Sequence, residues 1–342
     1  MDGVSVIICC YNSSEKIVKA LQYLAPQEGT ESIPWEIVLV DNASSDNTAE
    51  VASKIWTDTG VPLRIFFEPT PGLSNARETG IQNSKYGFLS FIDDDNWVCS
   101  DWIKKVFNIM TTKPEVAICG GLGEPVFEIN PPRWFTKYQQ AFAVGPQGDD
   151  EGYVRSKRGY LYGAGSTLRK SAWEELKMHG FKYLLSGRKG KALSSGEDFE
   201  LCMALTLAGY KLWYCPELTF KHFMPASRLN WQYLISLYKA FGRSDVVTAF
   251  YHDLLKPNKG VKYFINKNFI LSFSYSVWYL VKILPGYVLA MSRQSEGNLM
   301  ELLFKRTLSN LIEKIRQARK FGSMKRSIDE SSWINLKHNF IK

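Results

Sequence analysis

Three adjacent carboxylates, Asp93, Asp94 and Asp95, close an apolar run that begins at Phe88. Like charges at that density call for a cation beside them. Carboxylate oxygens are hard ligands that suit Mg²⁺ or Mn²⁺, ions that keep coordination positions open for phosphate oxygens. The cluster therefore has two readings. It is a divalent-metal site facing a diphosphate, or it is a solvated acidic turn, as most charge runs are.

Other polar residues fall at comparable places. Tyr11-Asn12 and Asp41-Asn-Ala-Ser-Ser-Asp46 each follow an apolar run of strand length. Asp41 is placed to accept hydrogen bonds from a base or ribose, with an Asx-type cap of the next helix as its alternative. Gly72 to Arg77 puts a glycine and then an arginine at a helix start, a setting that favours phosphate; Arg77 could instead pair with Glu68 or Glu78. Farther on, Ser195 and Asp198 fit the S-x-x-D capping box. Beside a cleft, a carboxylate at that position also suits a general base. His222 follows an apolar run and could complete a metal shell or be structural. Gly163-Ala164-Gly165 reads as a close-approach turn.

The elements that must position these residues alternate. Strands are expected at 4–10, 36–40, 63–67, 88–92 and 116–119, with helices after the first three, the first of them opened by Asn12 and Glu15. Such alternation predicts βαβ units and a parallel sheet, whose strand ends share one edge and so gather distant residues into one cleft. The stretch 120–222 is less regular. It holds one clear helix, 197–207, capped by Gly209, and two short strands, 212–215 and 218–220.

At 342 residues, 45% hydrophobic and 22% charged, the chain has the composition of a globular protein with a substantial core. Its six cysteines lack C-x-x-C spacing and read as reduced and buried, which excludes a disulfide or zinc framework. The start at Asp2 lacks a basic region, so no secretory leader is expected. The net charge of +8 is uneven. Residues 251–342 hold sixteen lysines and arginines against six acids, ten net positive charges, which leaves the first 250 residues at −2. A basic C-terminal region suits an anionic membrane surface or a nucleic acid, and no nucleic-acid signature is present.

Taken in order, these motifs resemble the inverting family 2 glycosyltransferases of the GT-A fold. The carriers are Val6-Ile-Ile-x-x-Tyr11-Asn12, Asp41 to Thr48, Gly72-x-x-x-Ala76-Arg77 leading to Gly80, Phe91-Ile-Asp-Asp-Asp95, Gly163-Ala-Gly165 and Glu197-Asp198. The resemblance implies an α/β fold, a Rossmann-like mixed sheet flanked by helices, over residues 1–225. A nucleotide-binding half (1–119) would precede an acceptor half (120–225), and a basic helical region (226–342) would follow. It implies nucleotide contacts from Tyr11, Asn12, Asp41, Arg77, Asp93 and Asp94, with Asp41 on the base. Asp93, Asp95 and His222 would hold Mg²⁺ or Mn²⁺, with Asp95 the direct ligand. Asp198 would be the base, Gly163, Ala164, Gly165 and Glu197 would line the acceptor side, and Trp134, Phe135, Tyr160 and Tyr162 could stack on sugar faces, with packing as their alternative.

The implied reaction moves one sugar from a UDP-sugar to a glycan or polyprenyl-diphosphate-linked acceptor in cell-surface polysaccharide synthesis. The Q-x-x-R-W motif of processive synthases is absent, which implies single additions. The rival expectations are a nucleotidyltransferase and an inactive sugar-nucleotide-binding assembly protein. The implied location is the cytoplasm, on the inner face of the plasma membrane. Residues 269–291 are apolar enough to approach a bilayer, interrupted by Lys282, Pro285 and Gly286, and 303–321 reads as a basic amphipathic helix. A helical subdomain packed on the catalytic domain is the alternative for this region.

Overall fold

The computed structural model describes residues 1–336 except 58, 155–158, 186, 188–195, 256–267 and 293–295. The first half alternates as the sequence predicts. The elements are β1 (Val4–Cys10), α1 (Lys16–Leu24), β2 (Trp35–Asp41), α2 (Thr48–Ile55), β3 (Leu63–Phe67), α3 (Leu73–Asn83) and β4 (Phe88–Phe91). The chain then runs through β5 (Asn96–Val98), α4 (Trp102–Thr112), β6 (Val116–Phe127) and the short α5 (Phe135–Tyr138). After these come β7 (Gly152–Tyr153), β8 (Ser166–Arg169), α6 (Lys170–Met178), α7 (Glu197–Leu207) and β9 (Lys211–Met224). Among the described residues four helices follow: α8 (Trp231–Leu255), α9 (Phe269–Ser292), α10 (Leu299–Gln317) and α11 (Phe321–Asp329).

The nine strands form one sheet in the order β3-β2-β1-β4-β8-β6-β9-β5, with β7 beside β9. Strands β1 to β4 are mutually parallel, whereas β8 runs antiparallel to both β4 and β6. The expectation of a parallel sheet thus holds for the first half, and the whole sheet is mixed. Helices cover both faces, so the inner strands are apolar throughout rather than alternating. Ile7, Val38, Val40 and Leu89 turn to one core, and Val6, Ile8, Ile37 and Leu39 to the other.

Register brings the site together. Cys10 pairs with Asp41, Asp41 with Phe67, and Ile7 with Phe91, so the loops after four strands open on one edge. Two sequence expectations change here. The strands expected at 212–215 and 218–220 are one strand, β9, because a break in its pairing with β6 between Gly120 and Leu122 absorbs the Pro216 segment. Asn12 does not cap α1. It sits at φ 50°, Glu15 holds the N-cap position, and the Asn12 side chain accepts from Ser45 N at 2.8 Å.

The C-terminal helices share the body's cores. Val246, Val247, Phe250 and Tyr251 of α8 pack with the sheet, as do Phe321, Ile328 and Trp333. Trp231 and Leu234 join Trp134, Phe135 and Phe142 in a third cluster. Trp134 and Phe135 are buried packing residues there, which answers for both of them the question of sugar stacking.

Candidate active site

A cleft of about 510 Å³ opens at the shared strand edge, within the size range of small-ligand sites. It gathers Tyr11, Arg77, Asp93, Asp94, Asp95, Gly163, Ala164, Glu197, Asp198 and His222, residues separated by as many as 211 positions in sequence. Asn12, Asp41 and Gly165 stand outside its lining. Asp41 accepts from Ser44 N at 3.0 Å, the Asx-type geometry that was its alternative. Gly165 N donates to Phe91 O at 3.1 Å and fixes the Gly163-Ala164 turn against β4. Tyr162 lines the cleft and is buried, while Tyr160 packs on Phe199.

Two ionic clusters occupy the cleft. The first centres on Asp198 at the start of α7. Arg77 Nη1 lies 2.6 Å from Asp198 Oδ1 and 3.7 Å from Glu197 Oε1, while Gly163 N donates to Asp198 Oδ2 at 2.9 Å. Arg77 therefore pairs across the sheet with α7. Its two candidate neighbours are engaged elsewhere, Glu78 with Lys177 and Glu68 with Thr70 and Thr79. Burial opposes the Arg77 charge, but Asp198, Glu197 and Asp93 more than offset it and raise its pKa. Gly163 is needed because a Cβ there would run into the Asp198 carboxylate. Gly196, at φ 116°, holds the N-cap position of α7, and among the described residues no side chain caps that end. Ser195, the other half of the expected capping box, lies outside the described residues. The Asp198 side chain is 32% exposed, so part of it remains open to the cleft.

The second cluster centres on Asp95. His222 Nε2 lies 3.5 Å from Asp95 Oδ1, and Arg228 Nη2 lies 3.0 Å from Asp95 Oδ2. Strand pairing sets this up, because Asn96 of β5 is the register partner of His222 on β9 and Phe223 N donates to Asp95 O at 2.9 Å. Asp94 turns the other way and accepts from Ser13 Oγ. Burial, followed by the charge on Asp95, lifts the Asp94 carboxyl to about 6, against the pull of Lys16. The carboxylate cluster is thus no solvated turn. Its cations are Arg77, Arg228 and Lys16, two of which the sequence did not single out. Arg228 follows Pro225 in a short turn six residues beyond His222, a position that no spacing in the sequence marks.

The donor chemistry of Asp95 and His222, carboxylate oxygen and imidazole nitrogen converging from adjacent strands, fits a divalent ion with room for diphosphate oxygens and water. Among the described residues, no three His, Cys, Asp or Glu side chains form a preassembled ligand set. Asp93 shares the cleft and acts on Arg77 through its charge.

The architecture has known counterparts. A crystal structure of Staphylococcus aureus TarS 1–349 in complex with UDP-GlcNAc superposes with a TM-score of 0.52 at 14% identity, covering 96% of this chain and 92% of that one. At that identity the likeness shows the fold. Two curated relatives are similar in sequence. The glycosyltransferase AglE of Haloferax volcanii is 34% identical over 102 residues, 30% of this chain and 33% of AglE. The succinoglycan biosynthesis protein ExoM of Rhizobium meliloti is 24% identical over 233 residues, 68% of this chain and 70% of ExoM. The family model described as glycosyl transferase family 2 matches residues 5–177, from the first strand through the carboxylate cluster to α6. With just over half of its length matched in this way, the chain belongs to glycosyl transferase family 2 and is a glycosyltransferase.

Proposed function

We propose that the cleft binds a nucleoside-diphosphate sugar, with UDP as the nucleotide, and transfers one sugar per encounter with inversion. The acceptor is a glycan or polyprenyl-diphosphate-linked glycan of a cell-surface polysaccharide, met by a peripheral enzyme on the cytoplasmic face of the membrane. The observation that carries this reading is the division of the cleft into an Asp95–His222–Arg228 cluster and an Asp198–Arg77–Gly163 cluster. Support for the donor comes from the UDP-GlcNAc bound by TarS, and support for the setting from the succinoglycan synthesis named for ExoM.

Each cluster has a separate task. Asp95 and His222 would hold Mg²⁺ or Mn²⁺, which offsets the charge that grows on the departing diphosphate. Arg228, already 3.0 Å from Asp95, adds a fixed cation on that side, and Lys16 another. Asp198 takes the proton from the acceptor hydroxyl as that oxygen attacks the anomeric carbon. Arg77 and Gly163 N hold one face of the Asp198 carboxylate so that its remaining lone pairs meet the acceptor. One base and one displacement invert the anomeric centre. Following turnover of UDP-GlcNAc by proton NMR tests this, with a β-configured first product expected from the α-linked donor. An α-configured first product would contradict single displacement.

A further inference from the structure

Helix α9 has the segregation of a surface helix turned inside out. Toward α10 it buries Ser272, Ser276, Ile283 and Ala290. The seam is polar. Ser276 Oγ donates to Asn310 Oδ1 at 3.1 Å, and the buried Lys314 Nζ donates to Ser272 O at 2.9 Å and to Ser276 Oγ at 2.8 Å. The opposite face carries Ile270, Trp278, Val281, Leu284, Val288 and Leu289, each between 43% and 69% exposed. A helix lying between a core and water puts its serines out and its aliphatics in. A continuous apolar face left outward marks a contact with something else.

The surrounding charge says what that is. Lys282 is the one charged residue between 269 and 292, and its ammonium sits 5.2 Å from the Trp278 ring centroid, as an interfacial lysine does. At the end of α10 that Lys314 ties to Ser272, Ile312 and Ile315 are 50% and 58% exposed, and Arg316, Arg319 and Lys320 are exposed beside them. Residues 269–292 and 299–329 together hold nine lysines and arginines against three acids. A second copy would bring a second excess of positive charge to the contact, whereas anionic headgroups would neutralise the first.

We propose that the outward face of α9, with Ile312 and Ile315 of α10, docks in the plane of an anionic bilayer at the boundary between headgroups and acyl chains. By length and composition α9 could cross a membrane. Its other face argues for the plane, because a spanning α9 would take Ser272 and Ser276 from Lys314 and Ser276 from Asn310 Oδ1. Arg306 holds α10 in turn to α8 through two 2.7 Å bonds to Asp245. The proposal deepens the peripheral placement given above and rests on it. It does not depend on the donor chemistry, which nucleotide binding tests separately.

The test is flotation of the full chain with vesicles of equimolar phosphatidylcholine and phosphatidylglycerol, in parallel with phosphatidylcholine alone. The chain should float with the anionic vesicles and be released by alkaline carbonate. The double variant Val281→Glu/Leu284→Glu should lose vesicle binding more than about tenfold while keeping its thermal unfolding and nucleotide binding, since both side chains are exposed. Arg316→Glu/Arg319→Glu should lower binding to the anionic vesicles and weaken its dependence on salt. A chain that stays soluble with both vesicle types overturns the docking face, as does a double variant that floats like the parent. Retention through carbonate overturns the in-plane placement. A parent dimer that the double variant dissociates, without flotation of either, assigns the face to a second copy instead.

Discussion

The cleft and the outer face of α9 both break the usual rule of burial, in opposite directions. In the cleft, charged groups go inside. Asp95 is 4% exposed and Glu197 8%, and both answer to arginines of the same chain. On α9, aliphatic groups go outside, and the protein offers them no cover among the described residues. The first reversal is balanced internally. Buried charges are tolerated because partners arrive from β9, α3 and the turn after β9, and the geometry of those partners is what a polar ligand would meet. The second reversal is balanced by nothing among the described residues, so it points outward. A site completes itself within the fold; a docking face does not.

Removing the groups on each side of that comparison should give effects of very different size. The largest is expected for Asp198→Asn, which keeps the shape of the Arg77 pocket but removes the proposed base. Steady-state turnover should fall by roughly 10²–10⁴ with nucleotide affinity retained, and near-parental turnover would take Asp198 out of the reaction. Next comes Arg77→Met, which leaves Glu197 and Asp198 without their shared cation. Breaking such a partly buried pair should cost about 3 kcal/mol in chemical denaturation, and a loss within ordinary surface values would mean the pair is solvent-screened.

A third variant probes the body behind the cleft. Glu200 is fully buried and accepts from Leu184 N, Leu185 N and Tyr251 Oη. Burial, against these hydrogen bonds, lifts its carboxyl from 4.5 to about 7. The folded chain therefore keeps this proton to higher pH than the unfolded chain does. Its contribution to stability is complete below pH 4.5 and is lost as pH rises through 7, by up to about 3 kcal/mol. Glu200→Gln should flatten the stability–pH curve over that window, and an unchanged slope would assign the slope to other groups. The smallest free-energy effect belongs to the docking face, where Val281→Glu/Leu284→Glu should change partitioning by more than about tenfold, or about 1.4 kcal/mol, without touching turnover on a soluble acceptor.

The same contrast explains what the sequence could disclose. The strand ends expected at 10, 40, 67 and 92 fall within one residue of those observed because each apolar run stops at a polar residue, and parallel pairing then forces those ends onto one edge. The α7 boundaries were legible from the Ser195-x-x-Asp198 spacing and Gly209, although Gly196 rather than Ser195 holds the N-cap position. Pairings across the sheet were not. Arg77 and Asp198 are 121 residues apart, and only the packing of α3 beside the Gly163 turn and α7 brings them together. Arg228 was missed because a single arginine after a proline carries no periodic signal. The split of β9 into two strands came from reading Pro216 as an end, whereas a break in pairing carries the strand past it. For α9, apolar composition was visible but orientation was not. Only the bonds of Lys314 to Ser272 and Ser276 reveal which face is turned inward.

The account rests on the cleft being a metal-assisted nucleotide-sugar site, and calorimetric titration of UDP-GlcNAc with and without Mn²⁺ tests that most directly, on the parent chain and on Asp95→Asn. The account predicts binding that requires Mn²⁺ in the parent and loses that requirement, together with most of its affinity, in the variant. Equal affinity with and without the ion, unchanged by Asp95→Asn, would contradict it.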